Sequence, residues 1–314
     1  MRSQIFKTPL PYIALILAHM IWGANFVVAK ITLTEFPVMS LAFSRFLIAS
    51  FLIIPFLLTL EKKEKTVKFK HLVQFFLVGL LLITFNIAFF YEGMNRTDAI
   101  NASALTLIGP VFSVVGSWLF LREKIFKINL LGIFMGLVGA LVIIGFPLLV
   151  LGNFAGANFL GNSLIILSTA SYTAGAILSK RMLSTYNPLA LTAVLFIVGW
   201  ITFLVPAALD YIKNPTWVNH VSILGLLGFF FITILSSVCA FFLLIWALSK
   251  IELFQANLVQ YIEPAIAATL AVPLLHERIS YSFIIGTCLI VLGVYWGTLG
   301  KQEHHHQFHR HHRS

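Results

Sequence analysis

Long apolar stretches alternate with short polar segments along almost the whole chain. Each apolar stretch has about 18 residues or more with few charges, which is enough for an α-helix to cross about 30 Å of hydrocarbon. The pattern predicts ten transmembrane helices, near residues 10–29, 38–60, 70–91, 98–121, 128–151, 158–179, 188–209, 220–248, 254–275 and 280–299. The first stretch is longer than the apolar core of a signal peptide and lacks a small-residue cleavage motif, so we expect it to be retained as helix 1.

An internal repeat organises these helices. The segment 98–144 has a second copy at 252–298, which is 154 residues further along. Both copies contain an apolar span interrupted by proline, a short charged elbow and a second apolar span with glycines. The offset pairs Asp98 with Glu252, Ala102 with Ala256, Pro110 with Pro264, Leu121 with Leu275, Glu123 with Glu277, Gly132 with Gly286 and Gly139 with Gly293.

The repeat also predicts the direction of the helices. Five helices per repeat is an odd number, so the second repeat must enter the membrane in the opposite direction to the first. We therefore predict an all-α integral membrane protein with ten transmembrane helices arranged as two inverted five-helix repeats, at 1–151 and 152–300. A His-rich tail at 301–314 follows, which we expect to be disordered.

The composition supports a membrane location. A chain that is 59% hydrophobic and 10% charged, with a mean hydropathy of +0.95, cannot bury its apolar surface in one soluble core. The net charge of +10 comes from Lys and Arg that collect in the segments on one side of the predicted membrane. This asymmetry predicts that both termini are cytoplasmic, and it explains the charge without a nucleic-acid partner.

Cysteine and histidine give no metal or cofactor prediction. Cys239 and Cys288 lie inside apolar spans, so we expect them to be packing residues. The tail contains six histidines, for which metal binding and a solvated terminus are the alternatives. We favour the solvated terminus and predict no metal site and no cofactor.

Ionisable side chains inside the predicted helices are the first candidates for function. An ionised group at the middle of a bilayer costs about 2.5 to 3.5 kcal/mol, so each needs a partner, water or a function. They are His19, Arg45, Glu92 and Glu263. Glu263 directly precedes Pro264, which removes a backbone donor and is expected to free a carbonyl near residue 260. Glu263 is a candidate site for a substrate ammonium group or a transported proton; alternatively, it pairs with Arg45 or another helix and fixes the packing.

Helix 1 offers a polar face near its centre. His19, Trp22 and Asn25 follow three-residue steps and share one side of the helix. Together they could bind a small zwitterion, and histidine could take part in proton coupling. The alternatives are a neutral histidine that donates to a neighbouring helix and a tryptophan that serves helix packing. Arg45 could bind a substrate carboxylate, or it could snorkel to the nearby outer interface.

Further polar residues occupy equivalent places in the two repeats, and such stripes are expected to face each other across the pseudo-symmetry axis. They are Asn101, Ser103 and Thr106 on helix 4, Asn257, Gln260 and Tyr261 on helix 9, Asn86 on helix 3, and Ser171 and Tyr172 on helix 6. We predict that these residues bind substrate together with His19, Trp22, Asn25 and Glu263. We predict that Pro110 and Pro264 act as hinges. The alternative for the hydroxyls is that they bond to their own helix or hold neighbouring helices together.

Glycines mark close helix contacts in the last helix of each repeat. GxxxG spacings occur from Gly132 to Gly136 and from Gly293 to Gly297. A dimer interface and packing within one chain are the alternatives. We favour packing within the chain, because ten helices offer these faces internal partners, and we expect a monomer or a weak dimer.

The motifs together resemble one transporter family. Trp22-Gly23-Ala24-Asn25-Phe26, Phe43-Ser44-Arg45-Phe46, Pro110 followed by Leu121-Arg122-Glu123-Lys124, and their echoes in the second half are similar to the EamA branch of the drug/metabolite transporter superfamily. The resemblance covers residues 10–300. It implies a ten-helix inverted-repeat carrier for small metabolites, commonly an exporter of amino acids or related compounds, with a central cavity lined mainly by helices 1, 3, 4, 6, 8 and 9. We expect this carrier to lie in a bacterial inner membrane. The elbows depart from the family, which usually has Gly-Glu where this chain has Arg122-Glu123 and His276-Glu277.

These features lead to a functional prediction. We expect a secondary transporter that exports small metabolites, amino acids or related amphipathic compounds, by alternating access through the central cavity. The expected partners are a small-molecule substrate, the lipid bilayer and protons. The alternative is a nucleotide-sugar or phosphorylated-metabolite exchanger, which would need several basic groups at mid-membrane, where the chain offers one clear Arg. Enzymatic activity is not predicted, because no zinc-protease, nucleophile-elbow or phosphate-loop motif occurs.

Overall fold

The protein is helical throughout the part of the chain that its computed structural model describes, which is residues 9–60, 69–121, 127–144, 157–251, 259–293 and 295–296. These residues form ten helical spans, when a π-helical turn or a two-residue interruption is counted with the helix that contains it. They are α1 (Leu10–Thr32), α2 (Val38–Leu58), α3 (Leu72–Met94), α4 (Ala99–Thr106 and Gly109–Leu121), α5 (Lys127–Ile144), α6 (Ala157–Met182), α7 (Pro188–Lys213), α8 (Ile223–Lys250), α9 (Ile262–Leu275) and α10 (Tyr281–Gly293).

The helices confirm the predicted all-α membrane fold. Among the described residues, α1, α2, α3, α7 and α8 are long and apolar enough to cross a bilayer. α6 has 26 residues but is more polar, and α4, α5, α9 and α10 have shorter apolar segments there. The predicted ends of three helices, at 145–151, 254–258 and 297–299, lie outside the described residues, as do the elbow at 122–124 and the tail at 301–314.

The two halves exchange equivalent contacts. α1 packs against α8 and α9 of the second half, and α6 packs against α3 and α4 of the first half, while α2 packs against α7. Helices α1, α8 and α9 correspond to α6, α3 and α4 in the other half, so the two sets of contacts are equivalent. A pseudo-twofold relation between the halves requires this equivalence. α3 and α8 share a further feature, because each contains a π-helical segment, Leu80–Phe85 and Phe231–Phe241.

Contacts around Thr97 show that the halves are inverted. Lys30, near the C-terminal end of α1, donates to the Thr97 carbonyl oxygen. The Thr97 hydroxyl in turn donates to Asn162, near the N-terminal end of α6. The end of α1 and the start of α6 therefore lie at the same end of the bundle, so these equivalent helices run in opposite directions.

Carboxylates from other elements cap three helices at this same end of the bundle. Asp210 caps α2, Glu277 caps α4 and Glu35 caps α8. Asp210 and Glu277 each accept two backbone N–H groups from the first turn of their helix, and Glu35 accepts the N–H of Ser222, the N-cap residue of α8, at distances between 2.6 and 3.2 Å. A negative charge at a helix N-terminus is favourable, because the first N–H groups have no partner within the helix. These contacts tie the two halves together at one end.

The Glu35 cap predicts a pH-dependent contribution to stability. The Ser222 hydroxyl and then the Ser222 backbone N–H hold the pKa of Glu35 below its ordinary value. A carboxyl whose pKa falls on folding stabilises the folded state above its unfolded pKa of about 4.3, and this contribution is lost as the pH falls through the folded pKa. We expect the difference in thermal midpoint between wild type and Glu35→Gln to be constant from about pH 7 to 5 and to shrink below about pH 4. A difference that stays constant down to pH 3 would contradict this cap.

Glycines bring α5 and α10 into close contact within one chain. A Cβ atom on Gly286 would lie 2.7 Å from the Gly139 carbonyl oxygen, and one on Gly139 would lie 2.6 Å from the Gly286 carbonyl oxygen. Gly293 meets the backbone of Gly136 and Gly132 in the same way. The packing that we favoured for these glycines, within the chain, is confirmed for this pair of helices.

The contact predicts that Gly286→Val destabilises the protein. A Cβ at this position would also lie 2.4 Å from Ile143 Cγ1, so the helices must separate. We expect a loss of about 1 to 3 kcal/mol, the usual cost of overpacking, seen as a lower thermal midpoint in detergent. Leu137→Val is the matched control, because Leu137 lies on the same α5 helix with 43% of its surface exposed. An equal midpoint for the two variants would contradict the close contact.

Candidate functional site

A cavity lies between the two halves, near the middle of the helices. Its lining comes from α1, α2, α3, α4, α6 and α8, and from α9 with the turn that precedes it. The lining residues are His19, Trp22, Asn25, Phe26, Arg45, Asn86, Ile87, Phe90, Thr106, Ser168, Thr169, Tyr172, Ser236, Phe241, Gln260 and Glu263. The cavity has a volume of about 90 Å³, which is room for about three waters or one small solute.

A buried histidine and glutamate form the polar centre of the cavity. His19 Nδ1 and Glu263 Oε1 are 2.6 Å apart, and both residues are 3% exposed. The second ring nitrogen, His19 Nε2, is buried without a hydrogen-bond partner among the described residues. Glu263 therefore pairs with another helix, as one alternative anticipated, but that partner is α1 and not Arg45.

The two broken helices meet at equivalent positions. α4 is interrupted at Leu107 and Ile108, and a turn at Gln260 and Tyr261 precedes α9. Gln260 Nε2 donates to the Thr106 carbonyl oxygen at 3.3 Å, and these two residues are 154 positions apart. Pro110 has no N–H for the Thr106 carbonyl, so the side chain from the opposite repeat takes that place.

The backbone before Pro264 differs from the prediction. We expected Pro264 to free the carbonyl of Gln260, but that oxygen accepts the Glu263 N–H at 3.0 Å. The backbone forms a 3₁₀-type turn there, because this i→i+3 hydrogen bond replaces the i→i+4 bond that proline cannot make. The carbonyl beside Glu263 is thus already satisfied.

Aromatic side chains form a second wall of the cavity. Trp22 Nε1 donates to the Ser236 carbonyl oxygen at 3.1 Å. The Trp22 ring meets the rings of His19, Tyr172 and Phe241 edge-on, with centroids 5.4 to 6.3 Å apart. Edge-to-face contacts orient aromatic rings relative to one another, so Trp22 both packs α1 against α8 and presents a flat surface to the cavity.

Two amides also line the cavity. Asn86 Nδ2 donates to the carbonyl and the hydroxyl oxygens of Ser168 at 3.1 and 2.8 Å, which joins α3 to α6. Asn25 Oδ1 is buried and accepts no hydrogen bond from the described residues. An unsatisfied buried oxygen beside a cavity is an available acceptor for a solute or water.

Several predicted site residues lie away from the cavity lining. Ser103 donates to the Ile100 carbonyl of its own helix at 2.7 Å, and Ser171 donates to the Leu81 carbonyl on α3 at 2.7 Å. Asn101 lies next to Asp98, and the Tyr261 hydroxyl is buried without a partner among the described residues. The two serines make the helix contacts that were their alternative role. Asn257 lies outside the described residues, and Pro110 and Pro264 adjoin the helix interruptions without lining the cavity.

Arg45 is the lining residue that the sequence arguments undervalued. It is 1% exposed, so the expectation that it could snorkel is wrong. Nε donates to the Ser237 hydroxyl at 2.8 Å and Nη1 donates to the Tyr91 hydroxyl. The signal was its place in an otherwise apolar helix, where a permanent charge must have a local solution. Glu92, by contrast, pairs with Arg96 in the turn that follows α3 and does not line the cavity.

Inverted helical halves, broken helices and buried ionisable groups around a central cavity define the class of multi-pass membrane transporters. The profile of the EamA-like transporter family matches residues 9–145 and again residues 159–298. The chain belongs to this family of transporters.

A relative named as a transporter agrees with this class, and a further relative and a solved structure are also similar to the chain. A protein named uncharacterized transporter from Archaeoglobus fulgidus is 29% identical over 295 residues, covering 93% of this chain and 98% of its own length. Protein WALLS ARE THIN 1 from Arabidopsis thaliana is 28% identical, covering 82% of this chain and 74% of its own length. One crystal structure, 17% identical, matches with a TM-score of 0.63 and covers 92% of this chain and 97% of that chain, which shows a shared fold.

Proposed function

We propose that this protein is a secondary transporter that exports small amphipathic metabolites, amino acids or related compounds, by alternating access. The observation that carries the proposal is the buried His19–Glu263 pair, 2.6 Å apart, in a cavity that also contains aromatic and amide side chains. The polar pair suits the amino end of a substrate, and Trp22, Phe26, Phe90 and Phe241 suit an apolar side chain.

Glu263 is proposed to bind either the substrate ammonium group or a proton. A carboxylate with 3% exposure is costly to keep ionised without compensation. Its charge can be compensated by a substrate cation, by a proton or by protonated His19, and these compete for one group. Competition of this kind couples the export of one ligand to the import of the other. His19, Tyr172 and Arg45 are the other titratable groups that line the cavity.

Pseudo-symmetric lysines support alternating access. Lys30 at the end of α1 donates to the Thr97 carbonyl, and Lys180 near the end of α6 donates to the carbonyls of Leu248 and Ile251. Thr97 and Ile251 are 154 positions apart and the two lysines are 150 apart, so the contacts join corresponding helices at closely similar positions in the two halves. Because α1 and α6 run in opposite directions, the lysines close opposite ends of the bundle. We propose that the contacts at the two ends open in turn, in a bacterial inner membrane with both termini cytoplasmic.

Phosphorylated substrates fit the cavity less well. They would need several basic groups at the site, and Arg45 is the one Lys or Arg among the described lining residues. We therefore keep a nucleotide-sugar or phosphorylated-metabolite exchanger as the alternative function, which the experiment below would detect.

The experiment is a counterflow assay in proteoliposomes. Vesicles loaded with one unlabelled amino acid are diluted into the same labelled compound, over a panel of amino acids, with and without a pH gradient. We expect uptake of at least one amino acid above that of protein-free vesicles and acceleration by the gradient. Uptake of a sugar phosphate or nucleotide sugar in place of every amino acid would contradict the proposal and favour the exchanger.

A further inference from the structure

Arg45 is buried in the cavity wall, and the described part of the chain supplies no counter-ion for it. It is 1% exposed, and no carboxylate oxygen of the described residues lies within 4.0 Å of its guanidinium. Its two hydrogen bonds go to the neutral hydroxyls of Ser237 and Tyr91. The remaining terminal nitrogen, Nη2, donates to none of the described residues.

This environment only partly compensates a permanent charge. Arginine does not lose its proton in proteins, and a buried ion without a counter-charge is unfavourable by several kcal/mol. The rings of Phe46 and Tyr91 lie 4.8 and 5.6 Å from the guanidinium carbon, and such cation–π contacts return part of that cost. An anion in the cavity would supply the rest.

The hydroxyls also restrict how Arg45 can move. Ser237 holds Nε and Tyr91 holds Nη1, from α8 and α3 respectively. A guanidinium fixed in this way loses less entropy when it forms hydrogen bonds to a carboxylate. The arrangement is suited to receiving an anionic group rather than to sealing a helix contact.

The negative charge of the cavity lies on another wall. Glu263 is on α9, which packs against α1, and it pairs with His19 and not with Arg45. At about 1.5 Å per residue, His19 lies about 20 Å from the end of α1 at Thr32, and Arg45 lies about 10 Å from the start of α2 at Val38, which is at the same end of the bundle. The His19–Glu263 pair and Arg45 therefore differ in depth by roughly 9 Å, and both line the same cavity.

We propose that Arg45, oriented by Tyr91 and Ser237, is the carboxylate subsite of the cavity, so that the transporter selects zwitterions over amines and over acids without an amino group. This inference rests on the proposed function, because it names the chemical class that the same cavity accepts. It adds a specificity-determining residue that neither the helix-1 face nor the repeated polar stripes identify.

The test compares three ligands that differ in one charge at a time. L-leucine is the zwitterion, L-leucinamide keeps its shape without the carboxylate charge, and 4-methylpentanoate keeps the carboxylate without the amino group. Their dissociation constants are measured by calorimetry on the full chain in detergent and by competition in counterflow. With wild type we expect leucine to bind at least about tenfold more tightly than either analogue. If another amino acid of the panel exchanges faster than leucine, its own amide and des-amino acid replace these probes.

The variants separate recognition from folding. Arg45→Gln is expected to weaken leucine binding at least about tenfold and to change leucinamide binding less than about threefold. Arg45→Lys, which keeps the charge but not the planar fork, is expected to lie between wild type and Arg45→Gln. Arg278→Gln, an exposed arginine on the second elbow, is the matched control and should leave all three constants unchanged.

Three outcomes would overturn the assignment. If wild type binds leucine and leucinamide equally well, the cavity has no carboxylate subsite. This measurement does not depend on the folding of any variant. An equal loss of both ligands in Arg45→Gln makes Arg45 structural. If Arg45→Gln does not fold, Ser237→Ala and Tyr91→Phe keep the charge, and a leucine preference that both leave unchanged also overturns the role. If no amino acid of the panel exchanges, the proposed function itself is contradicted, and this result differs from those that contradict only the role of Arg45.

Discussion

Replacing Glu263 with Gln is expected to reduce amino-acid counterflow at least about a hundredfold while the protein still folds. Gln has nearly the same shape and can keep a hydrogen bond to His19 Nδ1, which lies 2.6 Å from the carboxylate in wild type. The variant loses the negative charge that would compensate a substrate ammonium group. Removing one partner of a buried ion pair costs about 3 kcal/mol or more, which is about a hundredfold in an equilibrium constant.

The matched control for this prediction is Glu92→Gln. Glu92 is also a glutamate within a membrane helix, but it pairs with Arg96 and lies outside the cavity lining. We expect its exchange rate to stay within about threefold of wild type, because partly exposed ion pairs contribute little. Acceleration by a pH gradient should disappear in Glu263→Gln and persist in Glu92→Gln. Undiminished exchange in Glu263→Gln would contradict an ammonium site at this residue, even if the gradient effect were lost.

Replacing Glu277 with Ala is expected to open the end of the bundle where α1 ends. The Glu277 carboxylate accepts the N–H groups of Ala99 and Ile100 and lies 3.7 Å from Lys30 Nζ, so it joins α9, α4 and α1. Its side chain is 7% exposed, which makes the contact stronger than a surface ion pair. Losing a helix cap costs about 1 kcal/mol and losing the lysine contact adds to this, so we expect a shift of about tenfold in the open population.

Cysteine labelling measures this shift. Asn25→Cys places a thiol in the cavity lining, in a background where Cys239 and Cys288 are replaced by Ser. Maleimide is added on the side of the membrane where α1 ends. It should react with the cysteine at position 25 about tenfold faster in Glu277→Ala than in the parent. Asp210→Ala controls for the loss of a cap at the same end, since Asp210 caps α2, which packs against α7.

A reciprocal variant comes from the repeat. Glu123 is the sequence equivalent of Glu277, and it lies outside the described residues. If the two elbows have equivalent roles, Glu123→Ala should slow labelling from the α1 end rather than accelerate it. Identical rates for Glu277→Ala and the parent would show that the carboxylate caps α4 without holding the cavity closed.

Local signals in the sequence were sufficient for the architecture. Apolar run length depends only on the thickness of a bilayer, so the spans could be located to within a few residues, as α2 illustrates with 38–60 predicted and Val38–Leu58 observed. Proline acts on its own turn of helix, so the interruption before Pro110 was predictable. The 154-residue repeat likewise placed Thr106 and Gln260 in equivalent positions before their contact was known.

The roles of individual polar residues were less accessible. Ser103 and Tyr172 are both polar residues on cavity-bordering helices, yet Ser103 bonds to its own helix and Tyr172 lines the cavity. Their difference depends on the rotation of each helix about its axis, which neighbouring helices determine. Arg45 was undervalued for the same reason, because its depth in helix 2 permits snorkelling unless other helices cover it.

The sequence by itself therefore determines the apolar spans, the inverted repeat and the proline interruptions. Each of these reflects interactions within one helix or between a helix and lipid. The tertiary structure alone decided that His19 pairs with Glu263, 244 residues away, and that Arg45 lies in the same cavity with no carboxylate partner among the described residues. These facts depend on how ten helical spans pack around one centre, and packing sums many weak contacts between residues that are distant in the chain.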